Sequence, residues 1–252
     1  MKAVILSAGQ GKRLLPLTKA RPKCLLPIGG RTILEWQVRA LAANGIGDIV
    51  VVTGFEAAAV DQAIQRMHVP GAQIRSLFNP FYAVADNVGS CYVARPEMNG
   101  DTVLLNGDTL FEPEVLAQAL ARARRPITVT IDRKDRYDSD DMKVCVDGDR
   151  LTAIGKRLEP AEVDAESIGI LIFRGTGAAR FQAELEAVMR REDGLTRWYL
   201  SVVNELAEDG IVGTASIEGL EWGEVDFPVD VARAEALTAG WVAGETSAAA
   251  GG

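Results

Sequence analysis

Residues 7–13 read SAGQGKR and follow the aliphatic run AVIL. A glycine-rich turn at the carboxyl end of a strand presents successive backbone N–H groups that can cradle phosphate oxygens. Cations gather beside it: Lys12, Arg13, Lys19, Arg21, Lys23 and Arg31 stand together with no acidic residue among them. The whole chain is acidic, with 27 lysines and arginines against 35 aspartates and glutamates and a formal charge of -8. A local anion site on an acidic protein suits a small anion and sets nucleic acid aside, because a nucleic-acid footprint needs a broad basic face. Two familiar phosphate loops fail on spacing. The third glycine of G-x-G-x-x-G is replaced by Leu14, and Lys12 is followed by Arg13 where a P-loop needs Ser or Thr. Farther along, LLNGD places Asp108 just beyond a buried-type strand, on the edge where ligands bind in such sheets. The single histidine, His68, precedes Val69-Pro70 at a helix end, which argues against multi-histidine metal sites and histidine-dependent acyl transfer. Transfer to an acceptor that is already an oxyanion needs no histidine; positioning and charge neutralisation carry it.

These residues need a scaffold, and the periodicity supplies one. Short aliphatic runs at 3–6, 48–53, 74–78, 102–106 and 127–131 alternate with helical patterns near 32–43, 56–67, 87–95 and 112–123. That βαβα order predicts an α/β protein with a single Rossmann-like, mostly parallel sheet covered by helices. From Met142 the texture changes to MKVCV-DGD-RLTAI, which predicts an inserted β-hairpin around Asp147-Gly148. A strand at 167–173, helices near 177–191 and 197–208, a strand pair GTASI and WGEVD, and a helix near 229–237 complete the pattern. One domain is expected over 1–240, in halves 1–132 and 133–240, with a disordered tail at 241–252. Hydrophobic residues make up 48% and charged residues 25%, as in globular proteins, and no apolar run is long enough to span a bilayer. Without a secretory-type leader, a cytoplasmic location and no membrane insertion are expected. Cys24, Cys91 and Cys145 are far apart and read as reduced, small hydrophobes.

From Ala8 through Pro27 the chain satisfies A-G-x-G-x-R-L-x-P-L-T-x-x-x-P-K-x-L-x-P. This long pattern resembles that of nucleotidylyltransferases of the sugar-1-phosphate type, with a GT-A-type fold, which couple a nucleoside triphosphate to a phosphorylated small molecule and release pyrophosphate. The resemblance implies that Gly9, Gln10, Gly11, Lys12 and Arg13 bind the triphosphate, with Leu6, Ala8 and Gly107 beside the nucleotide. It implies catalytic roles for Arg13 and Lys23, with Lys23 at the α-phosphate. WGEVDFPVD, residues 222–230, is similar to the family ending W-x-D-x-D-x-P-x-D, with Glu224 where aspartate is usual. Asp108 and Asp226 would then hold Mg²⁺, with Glu224 a third nearby carboxylate. Such hard oxygen ligands suit that ion, whose other positions phosphates and water fill.

The segment NPFYAVADNVGSCYVAR, residues 79–95, resembles phosphocholine and 2-aminoethylphosphonate cytidylyltransferases. It implies CTP as nucleotide, with Asp86, Asn87, Gly89 and Ser90 at the base; Asp86 or Asn87 capping a helix is compatible with that role. In the second half, the resemblance puts Lys143 and Lys156 at the acceptor's phosphate or phosphonate. Asp138, Asp140, Asp141 and Glu166 are close to them in sequence and could pair with an amine. Trp198, Tyr199, Trp222 and Tyr137 either wall an ammonium cage or pack under the last helices. IGKRL and ESIGILIF also resemble inositol-1-phosphate cytidylyltransferases, and a sugar-1-phosphate with UTP or dTTP is a further alternative. A nucleotide-sensing domain without catalysis is the alternative from another class. Acceptor identity and assembly into a homo-oligomer are left open.

Overall fold

The computed structural model describes residues 1–159 and 162–250. The first half delivers the alternating elements. β1 (Lys2–Ser7) leads into the cation-rich loop, which closes on a short hairpin of β2 (Pro27–Ile28) and β3 (Arg31–Thr32). The helix α1 (Ile33–Ala43) follows, started by Thr32, whose hydroxyl accepts the Glu35 N–H at 3.1 Å. Next come β4 (Asp48–Thr53), α2 (Ala57–Arg66), β5 (Gln73–Phe78) and α3 (Asn87–Ala94). β6 (Thr102–Asn106), β7 (Thr109–Phe111), α4 (Pro113–Arg122) and β8 (Ile127–Asp132) complete that half. The second half holds β9 (Lys143–Asp147) and β10 (Arg150–Gly155), the expected hairpin, then β11 (Ala165–Phe173), α5 (Gly177–Met189) and α6 (Tyr199–Ala207). It closes with β12 (Val212–Ser216), β13 (Trp222–Glu224) and α7 (Pro228–Ala250).

Among the described residues nine strands form one sheet in the order β5-β4-β1-β6-β11-β8-β12-β10-β9. The block β5-β4-β1-β6 is parallel, as the βαβα order predicts. Beyond it the sheet is mixed, because β11 runs antiparallel to both β6 and β8, while β12 returns parallel to β8. The central strands are buried on both faces, and their alternation splits the core into two layers. Val4, Val50, Val52 and Leu104 face one side, with Val88, Phe181 and Val203 from α3, α5 and α6. Ala3, Ile5, Ile49, Val51 and Leu105 face the other, with Leu34, Val60 and Leu116 from α1, α2 and α4.

A third, smaller apolar cluster anchors the site loops. Leu14 of the cation loop, Leu26, Ile28, Trp36, Leu110, Val225 and Trp241 meet there. Trp241 is 6% exposed and stacks edge-on against Trp36 with ring centroids 5.5 Å apart. The disordered tail expected from 241 is therefore corrected: α7 runs on to Ala250, held at its middle by that tryptophan, while Gly251 and Gly252 lie outside the described residues. A composition of small residues concealed a helix that one buried aromatic side chain anchors. Among the described residues no helix is long and apolar enough to cross a membrane.

Candidate active site

The carboxyl edge of the parallel block carries the site. Ala8, Gly9, Gln10 and Gly11 leave β1, and Thr18 folds the loop back by donating its hydroxyl to the Gly11 carbonyl at 2.7 Å. Gly107 crosses directly over the end of β1, its N–H donating to the Leu6 carbonyl at 3.0 Å. A Cβ there would lie 2.5 Å from that oxygen, so only glycine permits the approach. Beneath the same turn, the buried Gln37 of α1 donates its amide to the carbonyls of Asn106 at 2.7 Å and Thr109 at 2.9 Å. Asp108 therefore sits on a turn braced from below. Asp226 reaches it because β13 pairs with β7, Glu224 opposite Thr109, and the Val225 N–H bonds the Asp108 carbonyl at 3.2 Å. Asp230 fixes the next turn by accepting the N–H groups of Asp226 and Phe227.

Opposite charges converge where these loops meet. The Lys23 ammonium donates to Asp108 Oδ2 at 2.8 Å and to Asp226 Oδ1. Burial alone would lower the Lys23 pKa, yet Asp108 and Asp226 outweigh it and hold it above the usual lysine range. Arg13 spans two carboxylates, donating to Asp140 at 2.6 Å and to Asp226 at 2.9 Å, with Phe227 stacked at 5.0 Å. Burial first, then the charges of Asp108 and Asp226, pushes the Glu224 carboxyl well above its ordinary range.

A divalent ion suits this donor set. Asp108 Oδ1 is buried without a hydrogen-bond partner, and the Asp226 carboxylate faces it across one ammonium. Among the described residues no three carboxylate, thiol or imidazole groups gather as a ready-made metal cluster. Glu224 is thus near the pair without completing such a cluster. Two carboxylates with phosphate and water still meet what magnesium requires.

Three confluent cavities of 410, 360 and 410 Å³ open from this point, and each is lined by Arg13 and Asp108. The first holds the Gly9–Arg13 loop, Leu6, Lys23, Gly107 and Asp226. The second is walled by Leu6, Ala8, Asp86, Asn87, Ser90 and Asn106. Gly89 lies inside α3 against Ala85, behind that wall. The third is lined by Asp140, Asp141, Lys156, Glu166, Trp198, Glu224 and Asp226, so most predicted acceptor residues do come together.

Two expected acceptor residues do not join them. Lys143 is 3% exposed, and its ammonium is used within the protein, donating to the carbonyls of Asp138 and of Lys156, the latter at 3.0 Å. Its charge ties the hairpin to the preceding loop. Tyr199 is fully buried, with its hydroxyl on Asn106 Oδ1 at 3.0 Å, so it forms no cavity wall. Its neighbour Trp198 is 40% exposed, beside Lys156 at 5.0 Å. Trp222 and Tyr137 are likewise elsewhere, bonded to Asp132 Oδ2 at 2.8 Å and to the Asp164 carbonyl at 3.2 Å.

Sequence reasoning missed three contributors. Lys134 bridges Asp141 and Glu166 at 2.8 Å each, across a long loop that leaves no local pattern. Burial pushes the Glu166 carboxyl up to about 7 despite that ammonium. Asn106 ends β6 within LLNGD, one of the motifs already noticed, and enters two cavities. Gly169 is the third: it bulges β11 at φ 75, and a Cβ there would lie 2.5 Å from the Asn106 amide nitrogen. A glycine inside an aliphatic strand was the available signal.

Residues 2–141 match the sequence pattern of the family described as nucleotidyl transferase. The chain is 32% identical over 246 residues to the CMP-5'-(3-aminopropyl)phosphonate synthase of Streptomyces rubellomurinus, covering 93% of this chain and 38% of that protein. It is 33% identical over 112 residues to the choline-phosphate cytidylyltransferase of Streptococcus pneumoniae, covering 44% of this chain and 47% of that protein. The sequence matches thus span less than half the length of either relative. Its fold superposes on the solved CTP:phosphocholine cytidylyltransferase of Streptococcus pneumoniae with a TM-score of 0.77, at 20% identity, over 94% of this chain and 98% of that one.

Proposed function

The chain belongs to the nucleotidyl transferase family, and we propose that it transfers a cytidylyl group from CTP to a small aminated phosphate or phosphonate, releasing pyrophosphate. The observation that carries this reading is the convergence of Lys23, Arg13, Asp108 and Asp226 at the junction of three cavities. One cavity has the cations and backbone amides for a triphosphate, one a polar wall for a base, and one carboxylates around an indole face for an aminated head. The halves 1–132 and 133–240 act as a nucleotide side and an acceptor side of one unit; the third cavity draws residues from both.

In the reaction an acceptor oxyanion attacks the α-phosphorus, a new P–O bond forms, and the bond to the β-phosphate oxygen breaks. No proton has to move, so no general base is needed. The loop from Gly9 to Arg13 holds the β- and γ-phosphates through backbone N–H groups and the cations Lys12 and Arg13. Lys23 moves from its two carboxylates to the α-phosphate oxygens and stabilises charge that develops there. Asp108 and Asp226 would hold Mg²⁺, which when bound would neutralise phosphate charge and help orient the leaving group. Lys156 and Arg13 receive the acceptor's anionic end. Asp141, Glu166 and the face of Trp198 receive its ammonium.

Two relatives whose names specify an aminated acceptor, an aminopropylphosphonate and choline phosphate, support that choice. Pyrophosphate release tests it, with CTP, UTP, dTTP, ATP and GTP each paired with phosphocholine, 2-aminoethylphosphonate and glucose-1-phosphate. CTP with an aminated acceptor should give the highest kcat/KM. A best rate with glucose-1-phosphate would overturn the aminated acceptor, and a best rate with dTTP or UTP would overturn the choice of base.

A further inference from the structure

The wall of the second cavity has a fixed polarity that no single one of its residues reveals. Asn87 opens α3, and its side-chain Oδ1 accepts the Tyr199 backbone N–H at 2.9 Å. A backbone N–H can only donate, so the amide oxygen must point at Tyr199 and the NH₂ is the end left for the cavity. A second chain of bonds orients Ser90. The Phe81 N–H donates to Asn79 Oδ1 at 2.9 Å, which again fixes an amide, and Asn79 Nδ2 donates to Ser90 Oγ at 3.1 Å. Ser90 therefore accepts from behind and keeps its own proton to give. Asn79 and Ser90 are 1% and 5% exposed, so water does not compete for these bonds. Beside them Asp86, whose Oδ1 accepts the Asn87 N–H at 2.7 Å, can only accept.

The exposed edge thus carries two donors and one acceptor. Cytosine presents the complement: acceptors at O2 and N3 and a donor at its exocyclic amine. Uracil presents a donor at N3 and an acceptor at O4, setting N–H against a donor and oxygen against a carboxylate. Each such mismatch buries an unpaired polar group, which costs more than a missing contact. We propose that Asn79 and Tyr199, neither of which lines the cavity, are positioning residues that set a preference for cytosine over uracil by fixing the polar ends of Ser90 and Asn87. The proposal rests on the nucleotidyl-transfer reading and adds the means by which the base is chosen.

The test compares Kd values for CTP and UTP by calorimetry, without acceptor and with Mg²⁺. The parent chain should bind CTP at least about tenfold more tightly than UTP, the effect of one well-formed pairing. Asn79→Asp keeps the bond from Phe81 but offers Ser90 an oxygen, so the hydroxyl turns inward and shows lone pairs to the cavity. The CTP-to-UTP preference should fall about tenfold, although the substituted side chain touches no nucleotide. A residue with only a structural role would weaken both nucleotides alike. Asn87→Asp, which keeps the bond from Tyr199 and replaces the NH₂ by oxygen, should shift the ratio in the same direction. If Asn79→Asp does not fold, Ser90→Ala and 3-deazacytidine triphosphate decide. Ser90→Ala should lower the ratio, and the analogue, which lacks the N3 acceptor, should bind the parent about tenfold more weakly than CTP. Equal affinities for CTP and UTP in the parent, or a ratio unmoved by the variants, would overturn the proposal alone. A parent that binds neither nucleotide would overturn nucleotidyl transfer and this inference with it.

Discussion

Lys23→Met retains most of the side-chain volume and deletes the ammonium between Asp108 and Asp226. At 2.8 Å from Asp108 and an effective dielectric constant of about 20, the gross attraction to that carboxylate is about 6 kcal/mol. The net effect is smaller, because all three groups lose hydration when they meet. Their side chains are 15%, 26% and 19% exposed, so the cost of breaking this pair belongs at the lower end of the buried range, about 3 kcal/mol. For a chain of this size that lowers Tm by about 6–12 °C. The variant also gains an attribute the parent lacks, two facing carboxylates with no cation between them. A divalent ion at 100 times its Kd restores about 2.7 kcal/mol, so Mg²⁺ or Mn²⁺ without nucleotide should recover most of the lost Tm. The parent, whose ammonium competes for the same oxygens, should respond far less. Differential scanning fluorimetry across a metal titration reads both effects. Single-turnover kinetics should show kcat lower by about 100- to 1,000-fold. Equal metal responses in parent and variant would refute the idea that ammonium and metal share one place.

Asp108→Asn and Asp226→Asn should each abolish most magnesium-dependent pyrophosphate release while far-ultraviolet circular dichroism is unchanged; near-normal turnover in both would remove them as metal ligands. Burial raises Glu166 to about 7 from an ordinary 4.5, so its stabilising contribution is present below about pH 4.5 and declines as pH rises through about 7. Glu166→Gln should flatten that decline in Tm. The same ionisation should lower KM for an aminated acceptor between pH 6 and 8 in the parent, with KM for CTP moving little. Trp198→Ala should raise KM for phosphocholine or 2-aminoethylphosphonate by about three- to thirtyfold, the loss of one cation–π face; an unchanged KM would place the ammonium elsewhere.

The sequence by itself determined whatever depends on neighbours along the chain. Strands and helices of the first half follow from hydrophobic period, and the Asp147-Gly148 turn announces its hairpin. The glycine-rich loop after β1 was legible because its geometry is made by its own glycines and the threonine seven residues on. Lys23, Asp108 and Asp226 were legible one by one as motif residues, but their meeting depends on β13 pairing with β7. Only the tertiary structure decided which partner each charge takes. Lys143 and Lys156 look alike in sequence, yet one ammonium closes on backbone carbonyls and the other pairs with Asp140 at 2.5 Å on the wall of a cavity beside Trp198. Trp198 and Tyr199 are adjacent, but at the start of α6 successive side chains diverge, so one lines the third cavity while the other is buried behind Asn106. Lys134 reaches Glu166 from 32 positions away in the sequence. A local pattern reports backbone conformation and which face is apolar; the partner that neutralises a charge or turns an amide is chosen by packing between segments far apart in sequence.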